Sequence, residues 1–228
     1  MKSILLIIFG ALAICTHAMD INSYFEKINA NYSNLKSFEL TLNYKLFKGY
    51  SGVDLRDEYQ SVLRMDGKNS HRKLYQDEIV TTPEHTLVLN HNLRTIQIMP
   101  PVEEGVFDLD VQSSIDQCQD IRVEKIAGGE QIQLILKKES TVDYARIDVE
   151  IDENYWVSKI TLYYSNQMNF SQDYFNPEVA LPRLVIEYQE LKKKWKDKVG
   201  ISSMSTYLIK NGETYAPAKN YEGYEIIQ

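Results

Sequence analysis

Cysteine is nearly absent from this chain: only Cys15 and Cys118 occur among its 228 residues. Two thiols, one of them in the leader-like stretch described below, leave no internal disulfide framework. Proline (6) and glycine (10) are too few for a linker, a low-complexity tract or a collagen-like repeat. Positive charge is in deficit, with 25 Lys and Arg against 32 Asp and Glu, a formal charge of -7. Such acidity argues against a nucleic-acid partner and against a generally membrane-hugging surface. Catalytic signatures are missing too. There is no GxSxG elbow, no HExxH, no phosphate-cradling glycine loop and no cysteine pair with zinc spacing. His71, His85 and His91 are the histidines past the leader. The last two lie about 20 Å apart along a strand, too far to share an ion unless the chain turns back. Cys118 has no histidine close in sequence to act as its base. These absences lead to the expectation of no enzyme, no cofactor and no metal.

The one long apolar run stands at the start. Lys2, then Ile4 to Ile14, then Thr16-His17-Ala18 have the layout of a cleaved secretory signal, and the run is short for a bilayer span. Residues 1–18 are therefore expected to be removed, and 19–228 to form one periplasmic domain. A lipoprotein signal acylated at Cys15 is the alternative, disfavoured by Ile14 standing where such sites have a small residue.

What the chain has is periodicity. Ile21, Tyr24, Phe25, Ile28, Tyr32 and Leu35 repeat at three- and four-residue steps, the mark of a helix with one apolar face. After Ser37 the period drops to two: Phe38, Leu40, Leu42, Tyr44 and Leu46 alternate with polar residues, predicting a long strand. A one-sided helix feeding a one-sided strand buries both surfaces by lying across the sheet that follows.

Most of the remainder alternates in the same way. Strands are predicted at Tyr59 to Met65, around Arg72 to Tyr75, at Thr86 to Asn90 and at Arg94 to Met99. More follow at Ile121 to Ile126, Gln131 to Lys137, Ala145 to Ile151, Trp156 to Tyr164, Arg183 to Lys192 and Ile201 to Ile209. The tail from Tyr215 to Ile227 is expected to add edge pairing. Glu103 to Gln119 breaks the pattern: Phe107 and Leu109 precede Val111, Ile115 and Cys118 at helical spacing, which predicts a short amphipathic helix. An insertion of this kind between hairpins reads as a lid, with Phe107, Val111 and Ile115 on its apolar side. The fold class expected is α+β, mainly β: a strongly curved antiparallel half-open barrel under the N-terminal helix and the lid helix. Its apolar faces exceed what one helix covers, so they either pack on each other or leave a cavity.

Two further features stand out. Lys192-Lys193-Lys194-Trp195-Lys196 concentrates positive charge in an acidic chain, either as a solvated strand end or as a docking patch for an acidic partner or lipid headgroups. The sixteen tyrosines, Tyr163 and Tyr188 among them, offer amphipathic contact surface, though strand propensity accounts for most.

The order of these pieces resembles the outer-membrane lipoprotein carrier and receptor family (LolA/LolB-like). Tyr24-Phe25-Glu26-Lys27-Ile28 through Tyr32-Ser33-Asn34-Leu35-Lys36-Ser37-Phe38 is similar to its first helix and the junction with its first strand. Thr86 to Pro100 is similar to a hairpin ending at proline, and Ile147 to Asp152 with Val157 to Leu162 to a later hairpin. The resemblance implies a half-open sheet with helices as a lid, holding lipid or lipoprotein acyl chains without covalent chemistry on the way to the outer membrane. It also implies a lid-holding arginine on an early strand. The matching residue is Arg64, followed here by Met65 where the family usually has proline. The acyl-contact set expected is Leu40, Leu42, Leu87, Leu89, Ile96, Ile98, Ile160 and Leu162, each buried methylene contributing about 0.8 kcal/mol. A one-residue register shift turns any of them outward, and a filled core is the competing reading. In that alternative the protein is a non-enzymatic cell-envelope interaction protein, docking through Lys192, Lys193, Lys194 and Lys196.

Overall fold

A computed structural model describes residues 21–102, 115–173, 175–193 and 203–227. Helix α1 (Ile21–Ser33) buries Tyr24, Phe25, Ile28 and Tyr32, the stripe its spacing sets out. Leu35 N–H then bonds back to the Tyr32 carbonyl at 3.0 Å, and the chain turns directly into β1 (Ser37–Phe47).

From β1 the chain meanders outward through β2 (Leu55–Asp66), β3 (Asn69–Leu74), β4 (Asp77–Thr81), β5 (Thr86–Asn90) and β6 (Thr95–Met99). A second meander runs through β7 (Cys118–Ile126), β8 (Gly129–Leu136), β9 (Tyr144–Asp152) and β10 (Val157–Tyr164). After the small hairpin of β11 (Met168–Asn169) and β12 (Val179–Ala180) comes β13 (Arg183–Lys192). It slots between β1 and β10, joining the two meanders. The chain closes with β14 (Leu208–Asn211), β15 (Thr214–Pro217) and β16 (Glu225–Ile227). Among the described residues the main sheet has twelve strands in the order β16-β6-β5-β4-β3-β2-β1-β13-β10-β9-β8-β7. It is curved and unclosed, and antiparallel except where β16 joins β6. The expected α+β, mainly β class is what the chain adopts.

Register explains where the cores lie, because paired residues on neighbouring strands point to the same face. On the inner face, under α1, Tyr44 pairs with Ile186, which pairs with Ile160, then Val149, then Ile132. The same face continues in the other direction from Leu40 to Leu63, Arg72, Ile79 and Val88. The larger core fills the space between this face and the helix. On the opposite, outer face of the first meander Arg64, His71, Val80, Leu87 and Ile98 form one row. There a second core of Val80, Leu87, Leu89 and Ile96 packs against Tyr207 and Leu208 of the C-terminal segment. The sheet thus changes its apolar side between its two halves.

Several sequence expectations are corrected. Cys118 does not end a helix but opens β7, paired with Leu136. An unanticipated strand, β4, fills the stretch after Leu74, its turn made possible by Tyr75 at φ 52°. The alternation expected from Ile201 fails at Met204–Thr206, a 3₁₀ turn whose Ser203 side chain accepts from Ser205 N–H, and extended pairing begins only at Leu208.

Candidate functional site

One end of the sheet gathers the C-terminal end of α1, the start of β1 and β10 and the finish of β2, β4 and β13. Two clefts open there on the inner face. The first, about 380 Å³, is bounded by Tyr32, Leu40, Trp156, Tyr188, Leu191 and Lys193 among others. The Tyr32 ring meets Trp156 edge-on at 5.0 Å and tilts against Phe38 at 6.0 Å. The Lys193 ammonium stands 4.9 Å over the Trp156 ring, leaving a cation at the lip of an aromatic wall. Burial pushes both the Tyr32 and Tyr188 phenols well above the usual tyrosine range, so each remains a neutral hydroxyl.

The local sequence explains why Trp156 sits at that edge. The Asp152 carboxylate accepts from the Asn154 N–H (2.8 Å) and the Trp156 N–H (2.9 Å), closing a turn that places Tyr155 at φ 62°. Asn31 of α1 donates to the Asn154 carbonyl at 2.7 Å, and Lys27 to the Tyr155 hydroxyl at 3.0 Å. The helix is therefore tied to the same turn that positions the cleft wall.

The second cleft, about 520 Å³, is bounded by Met65, Lys68, Ser70, Thr81, Pro101 and Val102 among others. Met65, Ser70 and Thr81 are its part of the row Phe38–Met65–Ser70–Thr81–Thr86, which runs across β1 to β5. The Gly67 N–H bonds to the Lys36 carbonyl at 2.9 Å, fixing the β2–β3 turn beside the helix exit. Val102 N–H donates to the Thr86 hydroxyl at 3.0 Å. Phe38 pairs with Met65 on one side and touches Tyr32 on the other, so the two clefts flank one aromatic pair.

Of the eight expected acyl-contact residues, Leu40 borders a cleft. Leu42, Ile160 and Leu162 are buried in the larger core, while Leu87, Leu89 and Ile96 are buried in the second core with Ile98 packed against it. The two sets face opposite sides of the sheet, so they do not line one cavity. Arg64 stands on the outer face, 2.8 Å from Glu39, and its field only partly opposes the burial that pushes the Tyr207 phenol well above the usual range. The arginine on the inner face is Arg72, one strand over and buried, whose field reaches the Tyr59 and Tyr188 phenols. Of the expected lid, Phe107 and Val111 lie outside the described residues, while Ile115 packs against the larger core. Lys192 is held by Glu39 (2.9 Å) and Glu190 (3.3 Å), which leaves Lys193 as the cleft lysine; Lys194 and Lys196 lie outside the described residues. Sequence reasoning missed Trp156, Tyr188 and Leu191 as a group. Trp156 carried a signal in the Asp152-Glu153-Asn154 turn before it, but the meeting of β10 and β13 ends carried none.

No protein-family model and no curated protein matches the chain. Among solved structures, a conserved uncharacterized protein from Thermus thermophilus is 8% identical with a TM-score of 0.49, covering 91% of this chain and 98% of that one. A DUF1329 family protein from Desulfovibrio piger is 11% identical with a TM-score of 0.33, covering 80% and 94%. A domain from Vibrio parahaemolyticus, provisionally described as an outer membrane lipoprotein-sorting protein, is 8% identical with a TM-score of 0.32, covering 75% and 90%. Among the described residues, no helix is long and apolar enough to cross a membrane.

Proposed function

We propose that the protein is an exported, periplasmic carrier that binds acyl chains of a lipid or lipoprotein without covalent chemistry. The observation that carries this reading is the cleft whose apolar wall is Tyr32, Leu40, Trp156, Tyr188 and Leu191, with Asp152, Ser158 and Gln189 beside them and Lys193 at its lip. An acyl chain entering it trades water for aromatic and leucine surface, at about 0.8 kcal/mol per methylene. Lys193 suits a negative group near the head of such a lipid, the phenols of Tyr32 and Tyr188 stay neutral, and Asp152, the carboxylate on the cleft wall, is turned to the Asn154 and Trp156 N–H groups.

The test is native mass spectrometry of the exported protein purified without detergent from a membrane-bearing host, followed by solvent extraction and displacement by an apolar fluorescent probe. Bound acyl species are expected, and they should be lost in Leu191→Glu and Trp156→Ala. An unliganded mass and no probe binding, repeated after incubation with lipids and lipopeptides, would sink the carrier.

A second reading has its own support. All eight expected contact residues lie in or against two cores on opposite faces of the sheet, Leu40 included although it also borders the first cleft. A curved sheet filled in this way suits an envelope interaction protein, for which partner capture lost on Lys193→Glu is the corresponding test.

A further inference from the structure

The end of the sheet opposite the clefts carries a different surface. The β1–β2 connection and the β10–β13 connection lie side by side there, and together with Leu55 at the start of β2 they hold half of the exposed large hydrophobic side chains among the described residues. Val53 is 91% exposed and Phe175 90%, with Leu55, Met168, Val179 and Leu181 also exposed. Tyr50 is at their base, its hydroxyl donating to the Tyr164 carbonyl.

Polar side chains hold this display in place. Glu178 takes Lys48 from one loop edge and Arg56 (2.7 Å) from the other, and Asp54 adds a 2.9 Å pair to Arg56. Arg183 donates to the Gly49 carbonyl at 2.5 Å and to the Gly52 carbonyl at 2.7 Å, with its guanidinium 4.1 Å over the Phe47 ring. Asn169 accepts from the Ser171 and Glu178 N–H groups, and Asp173 accepts from the Phe175 N–H at 2.9 Å. Two loops braced by this many bonds, yet presenting Val and Phe to solvent, are not hiding apolar surface by collapse.

We propose that this tip is a membrane anchor that inserts Val53, Phe175 and their apolar neighbours into the interface of a bilayer. The shape favours lipid over protein: the side chains project from two loop crests, and a fluid bilayer receives convex groups without a complementary pocket. The charge favours a zwitterionic surface. Lys48 and Arg56 are matched within the tip by Glu178 and Asp54, and the charge of Arg183 is balanced by that of Asp173, so the tip has no excess of cations to seek anionic lipid. Tyr50 and the matched cations lie behind the apolar crest, at the depth where aromatic and charged groups meet headgroups. This inference does not depend on acyl binding at the other end of the sheet.

The test is flotation of the exported protein with phosphatidylcholine vesicles at low and high salt. Wild type is expected to float with the vesicles at both salt concentrations, and Val53→Asp/Phe175→Asp to partition at least tenfold less. Both positions are solvent-exposed, so an unchanged melting temperature will accompany that loss. As a second measurement, Phe175→Trp should show a blue-shifted emission increment on adding vesicles. Wild type that stays in solution, a double variant that floats equally, or unshifted emission from the Phe175→Trp variant would overturn the anchor. So would flotation confined to anionic vesicles, abolished by salt and by Lys68→Glu/Lys193→Glu, which would move the contact to the cleft end. Concentration-dependent dimers abolished by the double variant, with no flotation, would assign the tip to a second copy and overturn it equally.

Discussion

Glu78 and His71 are diagonal neighbours on one face of β3 and β4, with 3.2 Å between carboxylate oxygen and ring nitrogen. His91 approaches the second oxygen of the same carboxylate at 3.3 Å, and its other ring nitrogen meets the Tyr224 hydroxyl at 2.7 Å. This polar chain lies beside the second core and links the sheet to the C-terminal segment that covers it.

The pH dependence of that attachment follows. The His71 hydrogen bond, helped by the charges of His71 and His91, pulls the Glu78 carboxyl from 4.5 to about 2. A carboxyl depressed by folding contributes stability that is complete above its unfolded value and lost as pH falls toward its folded one. Stability should therefore decline between about pH 4.5 and 2. Glu78→Gln should flatten that part of a plot of thermal midpoint against pH; an unchanged acid limb would deny Glu78 the role.

The two cores should respond independently. Leu42 and Leu89 are buried on opposite faces, four strand spacings apart, or about 19 Å. Leu42→Ala and Leu89→Ala should each cost about 2–5 kcal/mol. The double variant should cost their sum to within about 0.5 kcal/mol. Denaturant unfolding measures all three, and a large coupling energy would contradict two separate cores.

Gly129 has no room for a side chain. A Cβ there would overlap the Ile151 carbonyl oxygen on the paired strand β9. Gly129→Ala should destabilise by about 1–3 kcal/mol through forced separation of β8 and β9. Its neighbour Gly128, at φ +84°, meets nothing within 4 Å, so Gly128→Ala carries only the left-handed backbone cost of about 1–2 kcal/mol. Equal midpoints for Gly129→Ala and wild type would show that the strand pair relaxes freely.

Arg64 and Arg72 should separate by phenotype. Arg64→Ala breaks the pair with Glu39, whose carboxyl is held low by Lys192 and Arg64, on a face away from both clefts. Its effect should be confined to stability, leaving apolar-probe affinity unchanged. Arg72→Met, on the inner face, should alter probe affinity at matched folding. Probe titration beside thermal melting distinguishes them, and a probe defect in Arg64→Ala would restore the lid role that family resemblance suggests for it.

The sequence by itself determined the local pieces. The spacing of Tyr24, Phe25, Ile28 and Tyr32 sets one face of α1, and the alternation at Leu40 and Leu42 or at Leu87 and Leu89 sets which residues of a strand turn the same way. These are properties of neighbouring residues, so periodicity carries them. Only the tertiary structure decided which side of the sheet each set faces. Between β1 and β5 that choice passes through every turn, Gly67-Lys68 and Tyr75-Gln76 included, and through the unanticipated strand β4, each pairing inverting the parity of the one before. It also depended on Tyr207 and Leu208, more than a hundred residues later, covering the outer face. The meeting of Trp156 with Lys193 in one cleft, and of Lys48 with Glu178 beneath one apolar tip, comes from the same long-range closure. Periodicity within a strand holds no record of it.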